Sequence, residues 1–251
     1  MTKRVLILGG TTEAYALAAA LVPRVGLQVI TSLAGRTAAP RQPAGELRVG
    51  GFGGVPGLVS YLIEKQIDAV IDATHPFAAG MAWNAEAACR ETMLPLLRLE
   101  RPAWTPEPED RWEFVEHWEQ ALAALVRDGA QRVFLAMGRQ ELAPFAGIER
   151  LWFLIRVVTA PEPTLHFPAS QLLLARGPFD LASERALLAE HAIDTIVCKN
   201  SGGTATAAKL IAARERGIRV ILRQRPLRPT VPLAITLAEA VAWSDELLAT
   251  A

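Results

Sequence analysis

Several short apolar runs end in residue types that could do chemistry. Gly9-Gly10-Thr11-Thr12-Glu13-Ala14 follows Val5–Leu8 and opens a helical pattern. Glycines there let a backbone approach a pyrophosphate, and a helix amino terminus offers N–H donors with a partial positive charge. The adjacent glycines depart from Gly-x-Gly-x-x-Gly. Thr11 and Thr12 either donate hydroxyls or cap the helix. Asp72-Ala73-Thr74-His75-Pro76-Phe77-Ala78 ends the fourth run. His75 there can donate a proton, hydrogen-bond a cofactor beside Thr74, or cap a helix that Pro76 begins. Lys199-Asn200-Ser201-Gly202-Gly203-Thr204 sets a lysine before successive backbone N–H groups, which suits an anion. It is not a Walker A loop, which needs Gly-x-x-x-x-Gly-Lys-Ser/Thr.

The second run ends Thr31-Ser32-Leu33-Ala34-Gly35-Arg36-Thr37, without an acid. An NAD site places Asp or Glu there for the ribose hydroxyls. A hydroxyl and an arginine instead suit a 2′-phosphate, so Ser32 and Arg36 point to NADPH, unless Arg36 is a solvated loop cation. Gly50-Gly51-Phe52-Gly53-Gly54 spends much chain entropy, which close ligand approach or positive φ angles would justify. Arg139, Arg176 and Arg223 fall at or near later strand ends, where several carboxylates could be received. Tyr61 and Lys65 match the Tyr-x-x-x-Lys of short-chain dehydrogenases but follow the third strand rather than the fifth, so Tyr61 is expected in the core and Lys65 at the surface.

The elements that must position these residues alternate along the chain. Strands are expected at Val5–Leu8, Gln28–Thr31, Leu47–Val49, Ala69–Asp72 and Pro95–Leu99, with helices near Glu13–Leu21, Val55–Lys65 and Phe77–Glu91. A Pro- and charge-rich stretch around Pro106–Glu109 cannot continue a helix and reads as a connector. Further strands are expected at Arg132–Ala136, Trp152–Val158, Leu172–Ala175, Thr195–Cys198 and Arg219–Leu222. Helices should fall near His117–Asp128, Gln140–Phe145, Leu181–His191, Thr204–Arg216 and Leu237–Leu248. Strands apolar on both faces and separated by helices indicate parallel sheets covered on two sides. The expected fold is α/β: two doubly wound, Rossmann/flavodoxin-like lobes with a cleft between them. Their limits would be residues 1–100, a connector 101–116, and 117–251.

Composition excludes other classes. The 251 residues carry 26 basic and 26 acidic side chains and are 51% hydrophobic. A neutral chain lacks the cation surplus of a non-specific nucleic-acid binder. No run approaches the length of a membrane span, and the opening apolar run is too short for a signal peptide, so a cytoplasmic location is expected. Cys89 and Cys198 form no ligand-spaced cluster and no disulfide framework, and no metal is expected. Arginine supplies 22 of the 26 cations. That excess reflects either genomic composition or the bidentate grip of guanidinium on carboxylate and phosphate.

Taken together, Ile7–Ala14, Gly50–Gly54, Asp72–Ala78, Arg98-Leu99-Glu100-Arg101-Pro102-Ala103-Trp104 and Lys199–Gly203 resemble the precorrin-6A reductase family of cobalamin biosynthesis, in that family's order. The resemblance implies an NADPH-dependent reductase that saturates one double bond of a ring-contracted, anionic tetrapyrrole, precorrin-6A, giving precorrin-6B. NADPH would then lie on Gly9, Gly10, Thr11, Thr12, Glu13, Ser32 and Arg36, with Gly51, Phe52, Gly53, Thr74 and His75. The acidic substrate would lie on Arg101, Arg139, Arg176 and Lys199, with Asn200, Ser201 and Gly202. His75, Lys199 or solvent would supply the proton that accompanies the hydride, His75 acting more by orientation than by acid catalysis. A cobalt-precorrin-6A reductase and a non-catalytic two-lobed binding protein remain as alternatives.

Overall fold

A computed structural model of the chain describes residues 2–35, 41–161 and 163–249. The chain divides into two compact units, Met1–Pro102 with Pro226–Ala251, and Ala103–Arg225. From the amino terminus come β1 (Lys3–Leu8), α1 (Thr12–Leu21), β2 (Leu27–Leu33), β3 (Glu46–Val49), α2 (Gly54–Glu64), β4 (Ala69–Asp72), α3 (Ala79–Thr92) and β5 (Leu96–Leu99). The second unit adds β6 (Trp112–Val115), α4 (Trp118–Arg127), β7 (Arg132–Ala136), β8 (Trp152–Val157) and β9 (Ser170–Leu174). It continues with α5 (Leu181–Glu190), β10 (Thr195–Lys199), α6 (Ala208–Glu215) and β11 (Arg219–Arg223). Finally β12 (Leu233–Ala234) and α7 (Leu237–Ala249) return to the first unit.

The first sheet has the order β12-β5-β4-β1-β2-β3, and each of these pairings is parallel. With β12 counted as sixth strand, this is the 3-2-1-4-5-6 order of dinucleotide-binding domains, whose chain reverses direction beside the first strand. Burial follows from alternation along each strand. Val5 and Ile7 of β1 join the core beneath α1 and α7, whereas Leu6 and Leu8 join the one beneath α2 and α3. The four are at most 2% exposed, and full burial of each such side chain contributes roughly 1.5–3 kcal/mol.

The second sheet runs β6-β11-β10-β7-β8-β9, again parallel throughout. Val133 and Leu135 of β7 point into the core with α4, and Phe134 into the opposite core with Leu188 of α5 and Leu210 of α6. The first sheet sets its first strand, β1, centrally and β12 at its edge; in the second, β7 is central and β6, which precedes it in the chain, lies at the edge.

Three expectations are corrected. Residues 226–251 belong to the first unit, not the second: Leu233 pairs with Arg98, and Ala240, Trp243 and Leu247 complete the core under α1. The expected connector 101–116 contains β6, whose Trp112 pairs with Val220. The helix expected at Gln140–Phe145 is two 3-10 turns, Arg139–Glu141 and Ala143–Phe145. Pro144 has no N–H with which to continue an α-helical ladder back to Gln140.

Candidate active site

In open parallel sheets ligands bind beyond the carboxyl ends of the strands where the order reverses, here β1 and β4. Gly9 lies so close to β2 that an added Cβ would sit 3.0 Å from Thr31 Cγ2. Gly10 takes φ +111°, a conformation that side chains rarely adopt. Thr11 then caps α1: its hydroxyl accepts from the Ala14 N–H at 3.1 Å and donates to the Ala73 carbonyl at 2.7 Å. Capping, one of the two roles open from sequence, therefore occupies that hydroxyl and ties the turn to the end of β4. Thr12 is exposed, and the Glu13 carboxylate is held by Arg101 at 2.7 Å. Glu13, expected on the cofactor, and Arg101, expected on the substrate, form an ion pair with each other. The leading N–H groups of α1 lack helical acceptors by construction and follow directly on the glycine turn.

Beyond β4 stands a buried ionic network. Asp72 Oδ1 accepts from the Thr74 N–H at 3.1 Å and from the Thr74 hydroxyl at 2.6 Å. Its Oδ2 accepts from Arg228 at 2.6 Å, and Arg228 also pairs with Glu100. Arg98 lies 4.0 Å from Asp72, its pKa lowered by burial and then by the neighbouring Arg228 guanidinium. The network fixes Thr74 and so the turn that carries His75. His75 Nδ1 accepts from the Phe77 N–H at 3.2 Å, which puts the proton of a neutral imidazole on Nε2. The helix expected from Phe77 starts two residues later, at Ala79.

At the end of β2, Ser32 is buried and its hydroxyl accepts from Arg48 Nη1 at 3.2 Å. Arg48 is the register partner of Ser32 on β3. The same guanidinium donates to the Gly50 and Gly51 carbonyls, at 2.5 and 2.9 Å, and lies 3.7 Å from the centre of the Phe52 ring. Gly51 and Phe52 are thus brought against Arg48, and positive φ at Gly50 and Gly53 turns the chain around it. Arg36, expected here, lies outside the described residues. Arg48 was missed because its relation to Ser32 is a strand register, not a spacing.

The carboxyl edge of the second sheet is equally occupied. Lys199 Nζ is 2.6 Å from Glu141 Oε2, and Glu141 Oε1 is 3.1 Å from Arg223. Asn200, 6% exposed, brackets the Trp104 backbone: Oδ1 accepts from its N–H at 2.8 Å, and Nδ2 donates to its carbonyl at 2.9 Å. The Gly203 carbonyl accepts from the Trp104 indole at 2.8 Å, and the Ser201 carbonyl from Arg225 at 3.2 Å. Gly202 bends this loop with φ +68°. Arg139 reaches the Ala160 carbonyl at 3.2 Å, and Arg176 is exposed. Of the expected substrate residues, Asn200 therefore has its side-chain amide committed to the fold, and Lys199 is paired with an acid that sequence reasoning did not single out. Glu141 left no usable signal, being 58 residues away from Lys199 in sequence.

No helix among the described residues is long and apolar enough to cross a membrane. The family model described as precorrin-6x reductase CbiJ/CobK matches residues 4–245. Precorrin-6A reductase of Rhodococcus erythropolis is 48% identical over 241 residues, 96% of each chain. That of Rhodobacter capsulatus is 45% identical over 96% of this chain and 95% of its own. A cobalt-precorrin-6A reductase of Priestia megaterium is 29% identical over 88% of this chain and 90% of its own. A solved structure of CobK precorrin-6A reductase superposes with a TM-score of 0.92 at 43% identity, covering 98% of this chain and 97% of that one. With the resembling segments in order and both sheets matched by that fold, the chain belongs to the precorrin-6x reductase family.

Proposed function

We propose that the chain reduces precorrin-6A to precorrin-6B, with NADPH as the reductant and the metal-free tetrapyrrole as substrate. Bound NADPH supplies a hydride, and with one proton this saturates a single double bond of the macrocycle. The observation that carries the cofactor reading is the end of β2, where Ser32 and Arg48 stand in place of the carboxylate of an NAD site. Gly9, Gly10 and the amino end of α1 fit a pyrophosphate, because the backbone there is bare of side chains and its N–H groups face outward along the helix axis. Thr11 contributes by fixing the helix, and Thr74 by fixing the turn before His75. In this reading His75 orients its ligand from the turn that Thr74 fixes. Lys199, Arg139 and Arg176 offer cations to the acidic arms of the substrate, while Asn200 and Ser201 hold the loop beneath them. The higher identity to metal-free precorrin-6A reductases than to cobalt-precorrin relatives favours the metal-free substrate.

The test is incubation of the full chain with NADPH and either precorrin-6A or its cobalt complex, without oxygen, following both pigment and nicotinamide absorbance. Turnover of the metal-free pigment, with a product heavier by two hydrogens, is the expected result. Preference for the cobalt complex, or no oxidation of NADPH with either, would overturn the assignment. In single turnover His75→Ala should slow reduction yet leave it measurable; complete loss with both ligands still bound would make His75 the proton donor.

A further inference from the structure

We infer that Trp104 is the floor on which the conjugated ring of the substrate lies, so that the second unit holds the tetrapyrrole by its face as well as by its acidic arms. The inference deepens the tetrapyrrole reading and rests on it. Trp104 sits in a stretch without helix or strand, yet it is tied down twice. The Asn200 amide brackets its backbone, accepting from the N–H at 2.8 Å and donating to the carbonyl at 2.9 Å. Its indole N–H donates to the Gly203 carbonyl at 2.8 Å. Backbone and ring edge are both fixed, which sets the plane of the indole. Because Asn200 directly follows β10, the ring stands at the carboxyl end of that strand, the side of a parallel sheet where ligands are received.

The two faces of that plane differ. On one, Lys209 Nζ lies 4.8 Å from the ring centre and donates to the Thr206 carbonyl at 2.6 Å. Lys209 is 3% exposed, and the indole also packs against the apolar core that contains Leu188 of α5 and Leu210 of α6. That face is the inner one. Trp104 as a whole is half-buried, so the part of the ring that reaches solvent lies away from Lys209. With the N–H engaged by Gly203, this part offers carbon surface alone. A cation beneath an aromatic ring draws its π electrons inward, which suits the outer face to a flat conjugated partner rather than to a second cation. Beside the floor stand charges of the sign that acidic arms require. Lys199 adjoins Asn200, and Arg225 donates to the Asn200 and Ser201 carbonyls at 3.0 and 3.2 Å. A tryptophan that merely closed the core would need neither the amide bracket nor an anchored ring edge.

The experiment measures the dissociation constant of precorrin-6A, without oxygen, on the full chain and on Trp104→Phe and Trp104→Leu, with that of NADPH as the control for an intact first unit. Trp104→Phe keeps an aromatic face but loses the bond to Gly203. It should melt lower yet bind the pigment within about threefold of the parent. Trp104→Leu keeps apolar bulk without a π face. It should weaken the pigment about 5- to 100-fold, the scale of stacking a flat ring on an aromatic side chain, and leave NADPH unchanged. If the leucine variant does not fold, the parent decides. Labelled with 5-fluorotryptophan it carries six fluorine signals, one for each tryptophan, and the signal missing from Trp104→Phe should move furthest when precorrin-6A is added. A folded Trp104→Leu that binds precorrin-6A as the parent does, a phenylalanine variant as weak as the leucine one, or a Trp104 signal that the pigment leaves in place would overturn the role of Trp104. A parent with no affinity for precorrin-6A would instead refute the tetrapyrrole reading itself.

Discussion

Replacing Asn200 separates a residue that builds the fold from one that meets substrate. Its side chain makes two hydrogen bonds, both to the backbone of Trp104 and both shorter than 3.0 Å. Asn200→Ala removes both and leaves the Trp104 N–H and carbonyl without their partners. Each stranded polar group costs about 1–3 kcal/mol when buried. Trp104 is half-buried, so the lower half of that range applies, about 2–4 kcal/mol for the pair. For a chain of this size that lowers the unfolding midpoint by roughly 4–16 °C, since each kcal/mol shifts it about 2–4 °C. Asn200→Asp still accepts from the Trp104 N–H but sets a carboxylate against the Trp104 carbonyl, so it should also be destabilised, although its size is kept. Thermal melts and urea titrations of the three proteins by circular dichroism measure these losses, and tetrapyrrole KM is measured alongside. Asn200→Ala melting within about 1 °C of the parent, with KM raised tenfold or more, would refute the structural role and return Asn200 to the substrate.

Two further expectations concern the second unit. Arg156 and Glu184 form a bidentate pair at 8% and 1% exposure, with Arg156 stacked 3.7 Å from the Phe179 ring. Glu184→Gln leaves Arg156 without its carboxylate, at a cost of about 3–5 kcal/mol; a urea midpoint that hardly moves would show the pair to be dispensable. Asp180 caps α5 through the Ser183 N–H at 2.9 Å and hydroxyl at 2.6 Å, and the hydroxyl bond foremost lowers its pKa from 3.8. A folded pKa below the unfolded one means this stability is present above pH 3.8 and is lost as pH falls through the folded value. Asp180→Asn should therefore flatten the acid limb of a stability-against-pH curve, and identical limbs would contradict the assignment.

Legibility in the sequence followed the range of the interaction concerned. β1 was readable because Val5–Leu8 is apolar on both faces and a glycine turn stops it at once. β12 is two residues long and carries no period, so the return of the chain to the first unit was invisible. β6 hid behind the prolines that mark the junction. In the site, contacts between near neighbours were foreseeable: Thr11 capping Ala14, and His75 engaging the turn that follows it. Contacts that depend on register or topology were not. Ser32 meets Arg48 only once β2 and β3 are aligned, and Arg228 reaches Asp72 across 156 residues. For the same reason the pairing of Glu13 with Arg101 and of Glu141 with Lys199 was not legible.

With β6 counted as sixth strand the two sheets share one strand order. They differ in the first crossover from the central strand. After β1 the chain turns at Gly9 and Gly10 into ten residues of α-helix capped by Thr11. After β7 it turns at Gly138 into two three-residue 3-10 turns. Ten aligned peptide units sum to an appreciable positive end, whereas three contribute little. In the second unit the equivalent turn also carries Glu141, whose carboxylate is already matched by Lys199 and Arg223. A pyrophosphate entering there would have to displace that acid from both cations. In the first unit the acid of the equivalent helix, Glu13, is drawn onto Arg101, and the Gly9-Gly10 backbone presents no side chain to an incoming phosphate. The two sheets thus differ at the carboxyl end of their central strand, with a capped ten-residue helix after β1 and two short 3-10 turns with a paired acid after β7.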